Sequence, residues 1–297
     1  MLDRKYRARR ELIMETSNPV DGYRSFGGVA RNVAENLLRL GVAVSFVSIV
    51  GDDESGRSLV EHLRALGADV ARIAVTAERP TAEYVAVLDP RNDLLIGLAD
   101  MAVLDLLTPA RLEAAWAAIA ASDWVFADCN LPAETLAFLI DRAKGAGFRL
   151  AINTVSSPKA LRLPKDLSGV DLLFTNLDEA SAMLGRAGPI STVEAAAGLR
   201  EAGAARVIVT QGAQGYAVAS ADGVVAAKAV PARPADITGA GDAFAAGTLY
   251  RILAGEQVAQ AARGGALLAT LTTESEMSVH PRLSPGLMQS AAGRIVT

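Results

Sequence analysis

The sequence predicts an α/β fold: a mostly parallel sheet covered on both faces by helices, three layers in all, with a small β lid. Three observations carry this expectation. Strand-like apolar runs alternate with stretches of helical spacing along most of the chain. Apolar residues make up 51% of the 297, dominated by small and aliphatic types with only 5% aromatics, which suits helices packed closely on a sheet. One pair of extended runs between residues 79 and 100 breaks the rhythm, with no helix between them. The expected organisation is one domain over residues 1–297, with the 79–100 hairpin as its lid.

The elements follow in order. Residues 30–40 read as a helix, with Val33, Ala34, Leu37 and Leu38 at helical spacing and Gly41 as the stop. A buried strand over 42–50 precedes a helix over 56–66 that stops at Gly67, then a strand over 70–75. The runs 81–88 and 93–99 are strands joined by Asp89-Pro90-Arg91-Asn92, a turn-forming string. A helix over 109–121 leads to a strand over 124–128, and a helix over 132–146 to a strand over 149–153. A strand over 172–175, helices over 178–184 and 192–201, and a strand over 206–210 continue the alternation. A hairpin over 215–219 and 224–229 precedes two helices, 240–253 and 258–271. Ligands in such folds bind beyond the carboxyl ends of the strands.

Bulk chemistry excludes several classes. The formal net charge of −4 lacks the basic excess that attraction to nucleic acid requires. The basic cluster Arg4, Lys5, Arg7, Arg9, Arg10 reads as a solvated or strand-edge segment, since no apolar targeting region follows it. No apolar run is long enough to span a membrane. One cysteine, Cys129, and two distant histidines, His62 and His280, allow neither an internal disulfide nor a zinc site, so the chain reads as cytoplasmic.

The most informative string is Asp236-Ile237-Thr238-Gly239-Ala240-Gly241-Asp242, which leads into a helix of small residues. Small residues at 239–241 allow a sharp turn and leave successive N–H groups uncovered at a helix N-terminus, an anion site suited to a phosphoryl group in transfer. Asp242, in the first turn, is placed to take the proton of an attacking alcohol. Gly239, Ala240, Gly241 and Asp242 are therefore the candidate catalytic residues.

This string resembles the signature of the ribokinase-like (phosphofructokinase-B type) carbohydrate and nucleoside kinases. A second string, Gly27-Gly28-Val29-Ala30-Arg31-Asn32-Val33-Ala34 before Leu40-Gly41, resembles the other signature of that family, in the right order. The resemblance covers nearly the whole chain and implies the ribokinase-like fold, ATP and Mg²⁺. It implies substrate contacts from Gly27, Gly28, Asn32 and Asn130, with Asp242 as base. Asn176-Leu177-Asp178-Glu179 is similar to an element whose Glu organises Mg²⁺ through water while its Asn lies near the phosphates; a plain helix cap reads equally well. Thr210, Gly212 and Gly215 match a loop that approaches ATP, or a plain hairpin turn, and Gly239 and Gly241 complete the nucleotide contacts. Asp236 and Ile237 match positions that bind a monovalent cation such as K⁺ in many members.

Asp3 matches the family's ribose-binding Asp, but the apolar strand that precedes it in relatives has no counterpart; the start is truncated or the match is coincidental. Asn153 stands where many relatives carry Asp. Four strings look most like pseudouridine kinases: 27–36, 128–131, 154–159, and 271–275 with Val279-His280-Pro281. The resemblance then implies transfer of the ATP γ-phosphate to the 5′-hydroxyl of pseudouridine, with the hairpin closing over the base and able to pair across a homodimer. Another sugar or nucleoside kinase (acting on ribose, fructose or adenosine) and a non-catalytic nucleoside-binding regulator on the same fold stay open. A dinucleotide oxidoreductase does not, because no Gly-x-Gly-x-x-Gly follows an early strand.

Overall fold

The computed structural model describes residues 1–91, 93–186 and 188–295. In chain order it contains β1 (Leu2–Ala8), β2 (Val20–Phe26), α1 (Val29–Arg39), β3 (Ser45–Gly51), α2 (Glu54–Ala65), β4 (Asp69–Thr76), β5 (Glu83–Leu88) and β6 (Leu94–Asp100). A 3₁₀ turn at Ala102–Leu106 precedes α3 (Pro109–Ala114), α4 (Trp116–Ala120), β7 (Trp124–Asp128), α5 (Ala133–Ala143), β8 (Arg149–Asn153), α6 (Ser157–Ala160) and β9 (Leu172–Asn176). Then come α7 (Leu177–Met183), α8 (Thr192–Glu201), β10 (Val207–Thr210), β11 (Tyr216–Ser220), β12 (Gly223–Ala227), α9 (Ala240–Leu253), α10 (Val258–Thr273) and α11 (Pro285–Ala291). The chain divides into two compact units, Met1–Gly28 with Ser45–Leu106, and Val29–Val44 with Leu107–Thr297.

In the first unit a four-stranded sheet runs β2-β1-β5-β6, beside a parallel β3–β4 pair. The hairpin read from sequence is β5 and β6; its sheet is twice the expected size, because β1 and β2 join it. The expectation of a solvated or edge segment holds for Arg9 and Arg10, which are exposed beyond the strand, and fails for Arg4, Lys5 and Arg7. β1 is paired on both sides, antiparallel to β2 and parallel to β5. Its charges are tolerated because they pair across the sheet: Arg4 with Glu83 at 2.5 Å, and Arg7 and Arg9 with Asp21 at 3.8 and 2.7 Å. Asp89 closes the β5–β6 turn by accepting from the N–H groups of Arg91 and Asp93 at 2.7 and 2.9 Å, while Asn92 of the predicted turn lies outside the described residues. Asp53 caps α2 by accepting from Gly56 N–H, and also accepts from the Thr81 N–H and hydroxyl, each at 2.7 Å.

In the second unit a six-stranded sheet runs β12-β11-β10-β9-β8-β7. β7 to β10 are parallel; β11 and β12 return antiparallel. Side chains alternate between the faces of a strand, so each buried strand feeds two cores. Ala151, Leu172, Phe174, Ile208 and Val218 join a core with Val33 and Leu37 of α1, Phe244 and Leu249 of α9, and Leu267 and Leu271 of α10. Leu150, Ile152, Leu173, Val207 and Val209, also fully buried, alternate with them toward the other face, where α5 packs on β8 and α8 on β10 and β11. Helix, sheet, helix is the predicted layering. The expected 109–121 helix is broken at Ala115, and the expected 42–50 strand starts only at Ser45, because Val42 completes the α1 stop by donating to Leu37 O at 3.0 Å.

Candidate active site

The parallel strands β7, β8, β9 and β10 end at Asp128, Asn153, Asn176 and Thr210: Asp128 pairs with Asn153 and Asn176 with Thr210, and β9 runs two residues past the end of β8, whose Asn153 faces Phe174. Beyond them the second unit gathers most of its sequence-predicted residues.

Gly239 occupies the N-cap of α9 with φ +81°, and a Cβ there would sit on the carbonyl of Ser278. Only glycine satisfies both the left-handed backbone and the close approach. A Cβ at Gly241 would project into open space, so the start of α9 has room before it. The leading N–H groups of a helix have no acceptor within it, and the helix dipole adds positive potential there; at the start of α9 the Ala240 N–H makes a long bond to Ile237 O at 3.3 Å. Asp242, in the first turn of this 14-residue helix, is buried with 9% exposure. It does not act as the cap, because the cap residue is Gly239. Its Oδ2 accepts from Asn32 Nδ2 at 2.7 Å, 210 positions away. The carboxylate thus faces a polar partner from the second signature string rather than the apolar core.

Asn32 lies on α1, whose start is tied to the sheet. Asp128 accepts from Ala30 N–H through Oδ2 and from Asn130 N–H through Oδ1, both at 2.9 Å. Lys159 Nζ donates to Asn130 Oδ1 at 2.5 Å, and Arg162 Nη1 donates to the carbonyls of Asn130 and Leu131 at 2.9 and 3.2 Å. Burial lowers the Lys159 ammonium pKa, and the nearby Asp128 carboxylate opposes that shift. Cys129 in the same loop is fully buried, and burial foremost pushes its thiol far up, which disfavours the reactive thiolate.

Asn176 and Glu179 form a reciprocal capping box at the start of α7. The cap reading of this element is therefore realised. Glu179 is buried, and its carboxylate also accepts from Asn176 Nδ2 at 2.7 Å and from the Thr154 hydroxyl. Asn176 and Thr210 are adjacent on neighbouring parallel strands, and Thr210 Oγ1 donates to Thr175 O at 3.4 Å. The loop after Thr210 is a tight β10–β11 connection, with Gln211 N–H donating to Gly215 O at 2.8 Å. Gly215, at φ +111°, is required by the fold itself, since a Cβ would strike Ala227 O; Gly212 at φ +52° meets nothing. Asp236 Oδ1 accepts from Thr238 N–H at 2.8 Å, and the neighbouring Ile237 is 75% exposed.

In the first unit, Asp3 is the second residue of β1, and its carboxylate occupies the space a Cβ of Gly27 would fill. Gly28 follows at φ +98°. Asp3 and Gly27 are thus packed together. Roles for Arg31, Asp128, Thr154, Lys159 and Arg162 were not assigned from sequence, although the first four fall within the signature-like strings. Arg31 has its partners Asn32 and Glu35 beside it on α1, whereas the others reach partners 25 to 98 positions away, beyond any local spacing.

Among the described residues no three His, Cys, Asp or Glu side chains converge as a direct metal cluster. A buried carboxylate already held in place, such as Glu179, suits outer-sphere contact with a hydrated Mg²⁺ that takes its other ligands from phosphates.

A three-layer α/β fold with a glycine-turned helix start and a carboxylate in its first turn is compatible with phosphoryl transfer. The chain belongs to the pfkB family of carbohydrate kinases, whose model matches residues 6–283. It is 28% identical over 261 residues to pseudouridine kinase of Escherichia coli, covering 87% of this chain and 83% of that one. A carbohydrate kinase from Agrobacterium tumefaciens superimposes with a TM-score of 0.87 and 32% identity, over 99% of this chain and 94% of that one. Arabidopsis thaliana ribokinase complexed with ribose and ATP has a TM-score of 0.84 at 19% identity, covering 100% and 96%, and shows the same ribokinase-like fold.

Proposed function

We propose that this kinase transfers the γ-phosphate of ATP to the 5′-hydroxyl of pseudouridine, with Asp242 as general base. The observation that carries the reading is the Asp242 carboxylate, oriented by Asn32, in the first turn of α9 behind Gly239. There it takes the proton of a primary alcohol as the oxygen attacks the phosphorus, while the N–H groups at Gly239, Ala240 and Gly241 stabilise charge on the transferring phosphoryl group. Asn176, Thr210, Gly212 and Gly215 contribute to nucleotide binding. Glu179 holds Mg²⁺ through water, and the ion supplies neutralisation of phosphate charge. Asp236 and Ile237 take a monovalent cation such as K⁺. Asn32 and Asn130 hold acceptor hydroxyls, with Asp3, Gly27 and Gly28 as further acceptor contacts carried by the resemblance.

The hairpin of β5 and β6 serves as a lid. β6 is an edge strand whose Leu94, Leu95, Ile96 and Leu98 are about half exposed, and we take a second copy of the chain as its partner in a homodimer. A single buried thiol fits the reducing cytoplasm. Pseudouridine is favoured over ribose, fructose or adenosine by the four strings that resemble pseudouridine kinases and by the match to the E. coli enzyme. ADP release measured with pseudouridine, uridine and ribose tests this: pseudouridine should give the highest kcat/KM. Equal or better turnover of ribose sinks the choice of substrate, and nucleoside binding without ADP release favours a regulator.

A further inference from the structure

We propose that Arg31 is a positioning residue for phosphoryl transfer, acting through Asn32 on Asp242. The proposal rests on the reading of Asp242 as the base. Arg31 and Asn32 are consecutive and buried on α1. Arg31 Nη2 donates to Asn32 Oδ1, and Asn32 Nδ2 donates to Asp242 Oδ2 at 2.7 Å. A guanidinium carries only donors, an ionised carboxylate only acceptors, and an amide one end of each kind. Between Arg31 and Asp242 the amide therefore fits one way round. Turned over, it would set N–H against guanidinium and oxygen against carboxylate.

Arg31 is itself held. Its Nη1 donates to Glu35, one turn along α1, and Glu35 Oε1 accepts from Arg39 Nε and Nη2 at 2.9 and 2.7 Å. The series Arg39, Glu35, Arg31, Asn32, Asp242 thus runs from a partly exposed guanidinium to the candidate base. Buried ion pairs add little net stability, because desolvation offsets attraction. What this one supplies is orientation: the base carboxylate is kept in one rotamer by an amide that cannot flip.

Arg31→Met keeps length and burial but removes the donors, and leaves Glu35 paired with Arg39. It should lower kcat by about 10–100-fold, the scale of a small misplacement of a reacting group, with KM for ATP within about twofold. Asn32→Ala should lose at least as much, and the double variant no more than Asn32→Ala alone. Wild-type kcat in Arg31→Met, or losses that multiply in the double variant, would overturn the proposal. A fall in melting temperature without a fall in kcat would do the same. If Arg31→Met does not fold, Glu35→Gln loosens the anchor and should lower kcat about threefold; unchanged kcat there is equally fatal. The base reading fails differently, by near-normal turnover in Asp242→Asn.

Discussion

A carboxylate works as a base toward an alcohol only when its oxygens stay where the hydroxyl arrives. In the proposed reaction Asp242 meets that need through its hydrogen bond from Asn32, and both residues were legible in the sequence because each sits in a short string with special backbone needs. Asp128 and Lys159 were not, because their work depends on partners that the chain brings together only by folding; Arg31 touches its own neighbours Asn32 and Glu35, and only the long-range Asn32–Asp242 contact links it to the site. Asp128 reaches Ala30 across 98 positions. Lys159 is a donor-only group against Asn130 Oδ1, so it fixes which end of the Asn130 amide it meets and leaves the amide nitrogen for another partner. Lys159→Met should raise KM for the acceptor about tenfold and leave KM for ATP unchanged, read from steady-state kinetics in each substrate. An unchanged acceptor KM would show that Asn130 is not oriented by Lys159, or does not touch the acceptor.

At the scale of elements, periodicity and stop signals placed nearly every helix and strand of the second unit, and α9 to the residue. β1 and β2 escaped because their charges hide the alternation, and those charges are paired with Glu83 of β5 and, between the two strands, with Asp21 of β2. Two caps give measurable consequences. Gly239→Ala places a Cβ on Ser278 O at a left-handed φ, so it should cost about 1–3 kcal/mol in denaturant unfolding and reduce turnover by deforming the start of α9. Asp53 ties the start of α2 to Thr81. Burial pushes its carboxyl up, but the N–H groups of Thr81 and Gly56, the Thr81 hydroxyl and Arg57 outweigh that and hold it below its ordinary value. A carboxylate whose pKa is depressed on folding contributes stability above its unfolded pKa of about 4, and loses it as pH falls through the folded value. Asp53→Ala should cost about 1–2 kcal/mol at neutral pH and less in acid, as chemical unfolding at pH 7 and pH 3 would reveal.

For the whole molecule, the α/β class was readable from the alternation of elements, whereas the four-stranded sheet of the first unit was not, since it needs β1 to pair with a strand some eighty residues on. The edge strand β6 predicts a dimer: sedimentation should give twice 30.8 kDa, and Ile96→Lys, which puts a charge on the exposed face, should return the monomer. The family fixes a kinase, and the chemistry assigned to it rests on one carboxylate. The direct measurement is acceptor-dependent ADP release by the wild-type chain and by Asp242→Asn, with the melting temperature of each. Turnover should fall by about 10²–10⁴-fold while melting stays within a few degrees. Comparable turnover in the two, with both folded, would mean that the proton leaves by another route.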